Sequence, residues 1–125
     1  MVNSCKECHA MQLSSKLFTW AAIFQESKLD AFIRQAIAAK QVISFDYKGH
    51  QRIVEPHIYG RKDGVLQILG YQIGGRSSQG NLPDWRRFDL PLMRGLQLHG
   101  SGFPGAREVH ARHSAWDVKF VIVAP

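Results

Sequence analysis

The sequence predicts a mainly β domain opened by a helix: an α+β chain whose five to six short antiparallel strands form a small, partly closed barrel with the helix over one end. Three observations carry that expectation. The apolar period changes from 3.6 to 2 just after Lys40. Proline and glycine stand wherever the alternation stops. At 125 residues the chain fits one domain, able to bury roughly two-thirds of its unfolded surface.

The helix is read from Lys28 to Lys40. Leu29, Phe32, Ile33, Ala36 and Ile37 fall at i, i+3, i+4, i+7 and i+8, one apolar stripe. Ser27, three residues before Asp30, reads as a capping box at its start. Upstream, Leu17, Trp20, Ala21 and Phe24 repeat the spacing and predict a further helix from about Ser14 to Gln25. Residues 1–26 therefore read as a tail with an extra helix, and 27–125 as the domain. A helix this apolar needs a partner surface, either the rest of the domain or a second subunit.

The strands follow in order. Ile43, Phe45 and Tyr47 alternate with Val42, Ser44 and Asp46, which predicts a strand with one buried face. The turn "KGHQ" leads to a second strand from about Gln51 to Tyr59, with Val54 and Ile58 on one face beside Arg52 and Pro56. Pro56 cannot donate to a ladder, so this strand lies at an edge or bends there. After "RKDG", Val65 to Ile73 is apolar on both faces apart from its glutamines, the pattern of the most buried strand. Gly74 to Asp84 reads as a flexible loop. "WRRFDL" (Trp85 to Leu90) and "LQL" (Leu96 to Leu98) alternate again, Pro91 breaking the run between them, and a last strand is expected at Asp117 to Val123. Residues 100–116 fit either a loop covering the binding face with Phe103 and Arg107, or a short helix.

Hydrophobic residues make up 45% and charged residues 21%, ordinary values for a soluble globular domain. The longest apolar runs fall far short of the roughly 20 residues that cross a bilayer, so no membrane role is expected. No charged n-region and apolar h-region precede Cys5. The expected compartment is therefore the cytoplasm, with both cysteines as thiols. "CKECH", Cys5 to His9, has the spelling of a c-type haem attachment site, but without an export signal that chemistry is not expected. The other tight ligand pair, His110 and His113, has a gap shorter than zinc-finger histidines use and lies ~100 residues from the cysteines. Neither a metal nor a cofactor is expected.

The order "AIAAKQVISFDYKG…RIVEP…YG…LGYQ…WRRFDL" resembles the WYL domain family, over roughly residues 29–99. The resemblance implies an Sm-like or SH3-like barrel in a ligand-sensing module of bacterial regulators, with a basic, aromatic face for nucleotides or nucleic acid. It places Arg52 and Pro56 on the family's early motif, Tyr71 on the aromatic closing the name-giving strand, and Arg86 with Phe88 on Arg-x-Phe. The chain departs from the family at Leu66, Gln67 and Ile68, where the name-giving triplet falls, and at Asp89 and Leu92, where arginines are frequent.

The residues themselves point to an anionic partner. Net charge is +6 and the pI near 9.7, with Arg52, Arg61, Arg76, Arg86, Arg87 and Arg94 in the strand and loop region. A guanidinium matches phosphate oxygens and stacks on bases, and Tyr59, Tyr71 and Trp85 lie among these arginines, an interleaving that suits single-stranded nucleic acid. The opposing expectation is that the basic surface keeps the domain soluble while the rings belong to the core. The candidate ligand-binding set is Arg52, His57, Tyr59, Tyr71, Arg76 and Arg86, with Arg52 and Arg86 the preferred pair. A partner protein or a homodimer through the helix bearing Trp20 and Phe24 is the alternative function.

Catalysis is not expected. Glu55 and His57 stand two apart on one side of a strand and could do acid–base work, but no nucleophile elbow, HExxH or Walker loop accompanies them. The simpler expectation is that His57 hydrogen-bonds to a neighbouring loop and Glu55 pairs with a surface arginine.

Overall fold

A computed structural model describes residues 26–76, 80–109 and 111–125. The chain divides into two compact units, Met1–Asp30 and Ala31–Pro125. Residues 26–38 are helical and are termed α1. Since Glu26 and Ser27 already lie in the helix, Ser27 is not its N-cap. The helix expected over residues 14–25, with Trp20 and Phe24, lies outside the described residues, as do Cys5, Cys8 and His9.

The second unit is an antiparallel sheet of six strands: β1 (Gln41–Tyr47), β2 (His50–Lys62), β3 (Val65–Gly75), β4 (Asp84–Asp89), β5 (Arg94–Gly102) and β6 (Val118–Ile122). The order is β4-β3-β2-β1-β5, with β6 also on β2. The sheet is open: among the described residues no ladder joins β4 to β5. One-turn 3-10 helices occupy Leu90–Leu92, where Pro91 breaks the strand pattern, and Ala111–His113. Among the described residues, 100–109 are the end of β5 and an irregular stretch, and 111–116 open with that second one-turn helix.

The long strand β2 organises the sheet. Its first half pairs β1, from Tyr47↔His50 to Ile43↔Val54, and its second half pairs β6, from Ile58↔Ile122 to Arg61↔Val118, along the same edge. Pro56 falls in the gap between these ladders, and on the β3 side the register shifts between Pro56 and Ile58. The proline therefore marks a bend inside the sheet and not an edge strand, since the position that lacks an N–H is where pairing is interrupted.

That bulge also corrects the facing of β2. Residues opposite one another in an antiparallel ladder share a face. Val54↔Gln72↔Asp84, Pro56↔Gly70↔Arg86 and Tyr59↔Ile68↔Phe88 line one face, and Glu55↔Tyr71↔Trp85 and Ile58↔Leu69↔Arg87 line the other. Val54 and Ile58 thus point to opposite sides, against the expectation from simple alternation.

The first face holds an edge-to-face aromatic core, with Phe88 4.9 Å from Phe45 and 5.0 Å from Tyr47 between ring centroids. Each such ring, once buried, contributes ~1.5–3 kcal/mol from apolar area alone. Ile33, Ala36 and Ile37 of α1 are buried as the stripe predicts, whereas Leu29 and Phe32 are half-buried. Arg34 lies over the rings of Tyr59 and Phe120, at 5.6 and 5.2 Å. The second face packs Ile58, Leu69 and Trp85 with Tyr71, Val109 and Trp116. Two burial expectations are corrected. β1 buries Val42 and Ser44 as well as Ile43, Phe45 and Tyr47, so both of its faces are covered. The most buried strand is β2, continuous from Val54 to Gly60, while β3 is exposed at Val65 and Ile73.

Candidate functional site

Arg52 enters β2 beside the aromatic core of the first face, and its residue is only 6% exposed. Its Nη1 donates to Gln72 Oε1 and its Nη2 to the Tyr47 carbonyl, both at 3.3 Å. The guanidinium lies 5.6 Å from the Tyr47 ring centroid and 5.8 Å from that of Phe88. No carboxylate pairs with it among the described residues, and its buried Nε–H has no acceptor. Burial lowers its pKa, and the like charge of Arg86 lowers it further. A buried cation flanked by a second cation is costly unless an anion joins it.

Arg86 reaches the same face from β4. Its Nη1 donates to Asp84 Oδ2 at 2.8 Å, with 14% of its side chain exposed. Burial works against the charge on Asp84, but the Trp85 N–H, Arg86 and Arg112 outweigh it and hold the carboxyl below its ordinary range. Arg52 and Arg86 share this face and the charge of Arg86 acts on Arg52, with a local carboxylate on Arg86 and, among the described residues, none on Arg52.

Gln72, fully buried in β3, ties this site to the start of the following loop. While its Oε1 accepts from Arg52, its Nε2 donates to the carbonyls of Gly74 and Arg76, at 3.0 and 3.1 Å. Gly75 makes the close approach there, with φ +81° and its missing Cβ directed at the Gln51 carbonyl. Sequence reading missed Gln72, Tyr47 and Phe88 as neighbours of Arg52. A glutamine within the apolar run "ILGYQI" was the available signal, since a buried amide must find partners.

The six candidates do not converge. Arg52 and Arg86 share the first face. Tyr59 lies on that face but is fully buried against Phe120, at 5.4 Å, as a core ring. Arg76 is exposed at the end of β3. His57 and Tyr71 belong to the second face, where a separate polar cluster is closed by the segment 103–109. There the Glu55 carboxylate takes two hydrogen bonds from Arg107, Nε at 2.7 Å and Nη2 at 3.1 Å. Arg107 lies 4.5 Å over the Tyr71 ring. His57 is 1% exposed, stacked on Phe103 at 5.3 Å and edge-on to Trp85 at 4.8 Å.

Both nitrogens of His57 are engaged. The Arg107 N–H donates to Nε2 at 3.2 Å, so Nδ1 carries the proton and donates to the Glu55 carbonyl at 2.9 Å. Burial lowers the His57 pKa, outweighing the carbonyl and the Glu55 charge that favour protonation. The expected structural roles of His57 and Glu55 match this geometry, with Arg107 as partner of both.

Arg87 similarly fastens the next segment: its Nη2 donates to the His113 and Ala115 carbonyls at 2.8 and 2.9 Å, and it lies 4.4 Å over Trp116. Among the described residues no cluster of three or more His, Cys, Asp or Glu is placed to hold a metal ion, and His110 lies outside them. No helix among them is long and apolar enough to cross a membrane. A cleft of about 320 Å³ lined by Pro104 to Arg107 and Pro125 adjoins the 103–109 segment, not Arg52. Comparison with family models, with curated proteins and with solved structures gives no match for this chain.

Proposed function

We propose that the protein is a non-catalytic, WYL-like module that binds an anionic ligand at Arg52 and Arg86. The single observation that carries this reading is the buried Arg52 guanidinium with an unsatisfied Nε–H, no carboxylate partner among the described residues and a second arginine beside it. An oxyanion supplies the missing acceptors and the missing charge together. The WYL resemblance agrees with this choice, for its two arginine positions are the ones that share a face.

The rings narrow the ligand. Among the described residues no aromatic side chain is exposed. Of the half-buried rings, those of Tyr71, Trp116 and Phe120 are already covered by Arg107, Arg87 and Arg34, which leaves Phe32 of α1 as the other one among the described residues. A single strand that binds by stacking its bases needs free ring faces, so a compact phosphate or phosphate-bearing nucleotide fits better than a stacked oligonucleotide. Calorimetric titration with inorganic phosphate, a nucleoside monophosphate and an oligothymidine should show binding of the first two at ~50 mM salt that weakens as salt rises. Absence of binding by all three refutes the function. Binding by the oligonucleotide alone would move the site to the aromatic rings.

A further inference from the structure

We infer that the segment 103–109 is a strap over the second face, latched by neutral His57 and released by its protonation. The latch is the backbone N–H of Arg107, which donates to His57 Nε2. That bond requires a bare Nε2 lone pair, and the other nitrogen is already committed as a donor to the Glu55 carbonyl. A proton taken from solvent at Nε2 sets two donors against each other 3.2 Å apart. The ring cannot turn to relieve this, for it is packed between Phe103 and Trp85.

The charges acting on the imidazole are Glu55 from its own strand and Arg107 from the strap. From β3 and β4 the rings of Tyr71 and Trp85 complete the surroundings, and Phe103 closes them at the end of β5. Glu55 would favour a charged imidazole, but both of its oxygens are occupied by Arg107. Besides the Arg107–Glu55 ion pair and the packing of Phe103 and Val109, the strap is tied by the Phe103 N–H to the Lys40 carbonyl and the Ala106 N–H to the Ala124 carbonyl, with Ala106, Arg107 and Glu108 exposed. Opening therefore uncovers Trp85 and Tyr71 while the β2–β3 and β3–β4 ladders stay paired.

Amide hydrogen exchange followed by NMR across pH, with imidazole nitrogen shifts recorded in parallel, tests the latch. At neutral pH His57 should be the Nδ1–H tautomer. The Arg107 amide should exchange through an opening less costly than that of the core amides of Tyr59 and Ile68. Its protection factor should fall about tenfold per pH unit below the ordinary value of 6.5, down to the folded pKa of His57. His57→Gln, which offers one acceptor and one donor without titrating, should flatten that slope. A charged or Nε2–H imidazole at neutral pH overturns the inference. So does an Arg107 amide whose protection is independent of pH or equal to that of the core amides throughout, and the wild-type measurement decides this even if the variant does not fold.

Discussion

Arg52→Met separates a binding arginine from a structural one. The substitution removes two hydrogen bonds at 3.3 Å, each worth ~1 kcal/mol net at that length. It also removes two ring contacts at 5.6 and 5.8 Å, each worth ~0.5–1 kcal/mol. The loss is therefore ~3–4 kcal/mol. Against it stands relief of a desolvated cation without a counter-ion, a term of several kcal/mol, and of its repulsion with Arg86. Methionine also places an apolar chain against Tyr47 and Phe88, whose surfaces it suits. These terms nearly cancel, so the variant should fold with a stability within ~2 kcal/mol of wild type. The ligand response should not cancel. Wild type in inorganic phosphate at ~100 times its Kd should gain ~2.7 kcal/mol in urea unfolding, and Arg52→Met should gain nothing. A variant destabilised by more than ~4 kcal/mol that keeps the phosphate response would refute the site, for Arg52 would then be a structural residue.

Three further outcomes follow from the same geometry. Gly75→Ala should lower stability by ~2 kcal/mol or more in urea unfolding, because φ is +81° and a Cβ would meet the Gln51 carbonyl; an unchanged midpoint would show that this approach is not rigid. Phe88→Ala opens the core between Phe45 and Tyr47 and should cost ~3–5 kcal/mol by the same assay, a loss of under ~1 kcal/mol counting against the core assigned to the first face. Stability should also fall on acidification. The folded pKa of His57 lies below its unfolded value of 6.5, so the stability it contributes is complete above that pH and is lost as pH falls toward the folded value. Urea midpoints that do not change between pH 7 and 5 would contradict the burial of a neutral ring.

Periodicity made the strands legible and left their environment obscure. The switch of period at Lys40, the turn at Gly49 and the break at Pro91 place β1, β2, β4 and β5 in the chain, because these signals are local. Burial depends on neighbours that local pattern does not name. β1 alternates as a half-buried strand does, yet Val42 and Ser44 on its other face are buried too. The second unit's polar residues show the same limit. Arg52 and Arg86 could be paired by residue type, but the interaction of Arg107 with Glu55 and His57 spans 50 residues or more and carries no spacing signal. The role of Gln72 is non-local in the same way.

The decisive non-local feature is the bulge beside Pro56. Before it, even-numbered residues of β2 lie on the first face with Arg52 and Val54, and after it Tyr59 does, opposite Ile68 and Phe88. Without the extra residue, Tyr59 would turn to the second face and Ile58 would take its place in the aromatic core. Glu55 and His57 would still face Tyr71 and Trp85, so the strap would keep its latch while the core beneath α1 lost its largest fully buried ring. The bulge thus sets Tyr59 in the aromatic core and Ile58 against Leu69, while alternation alone puts Arg52 on one face of the strand and Glu55 and His57 on the other. Alternation separates Arg52 from His57, five positions apart in the sequence, so the candidates divide between the first face, with Arg52, Tyr59 and Arg86, and the second, with His57 and Tyr71 beside Arg107.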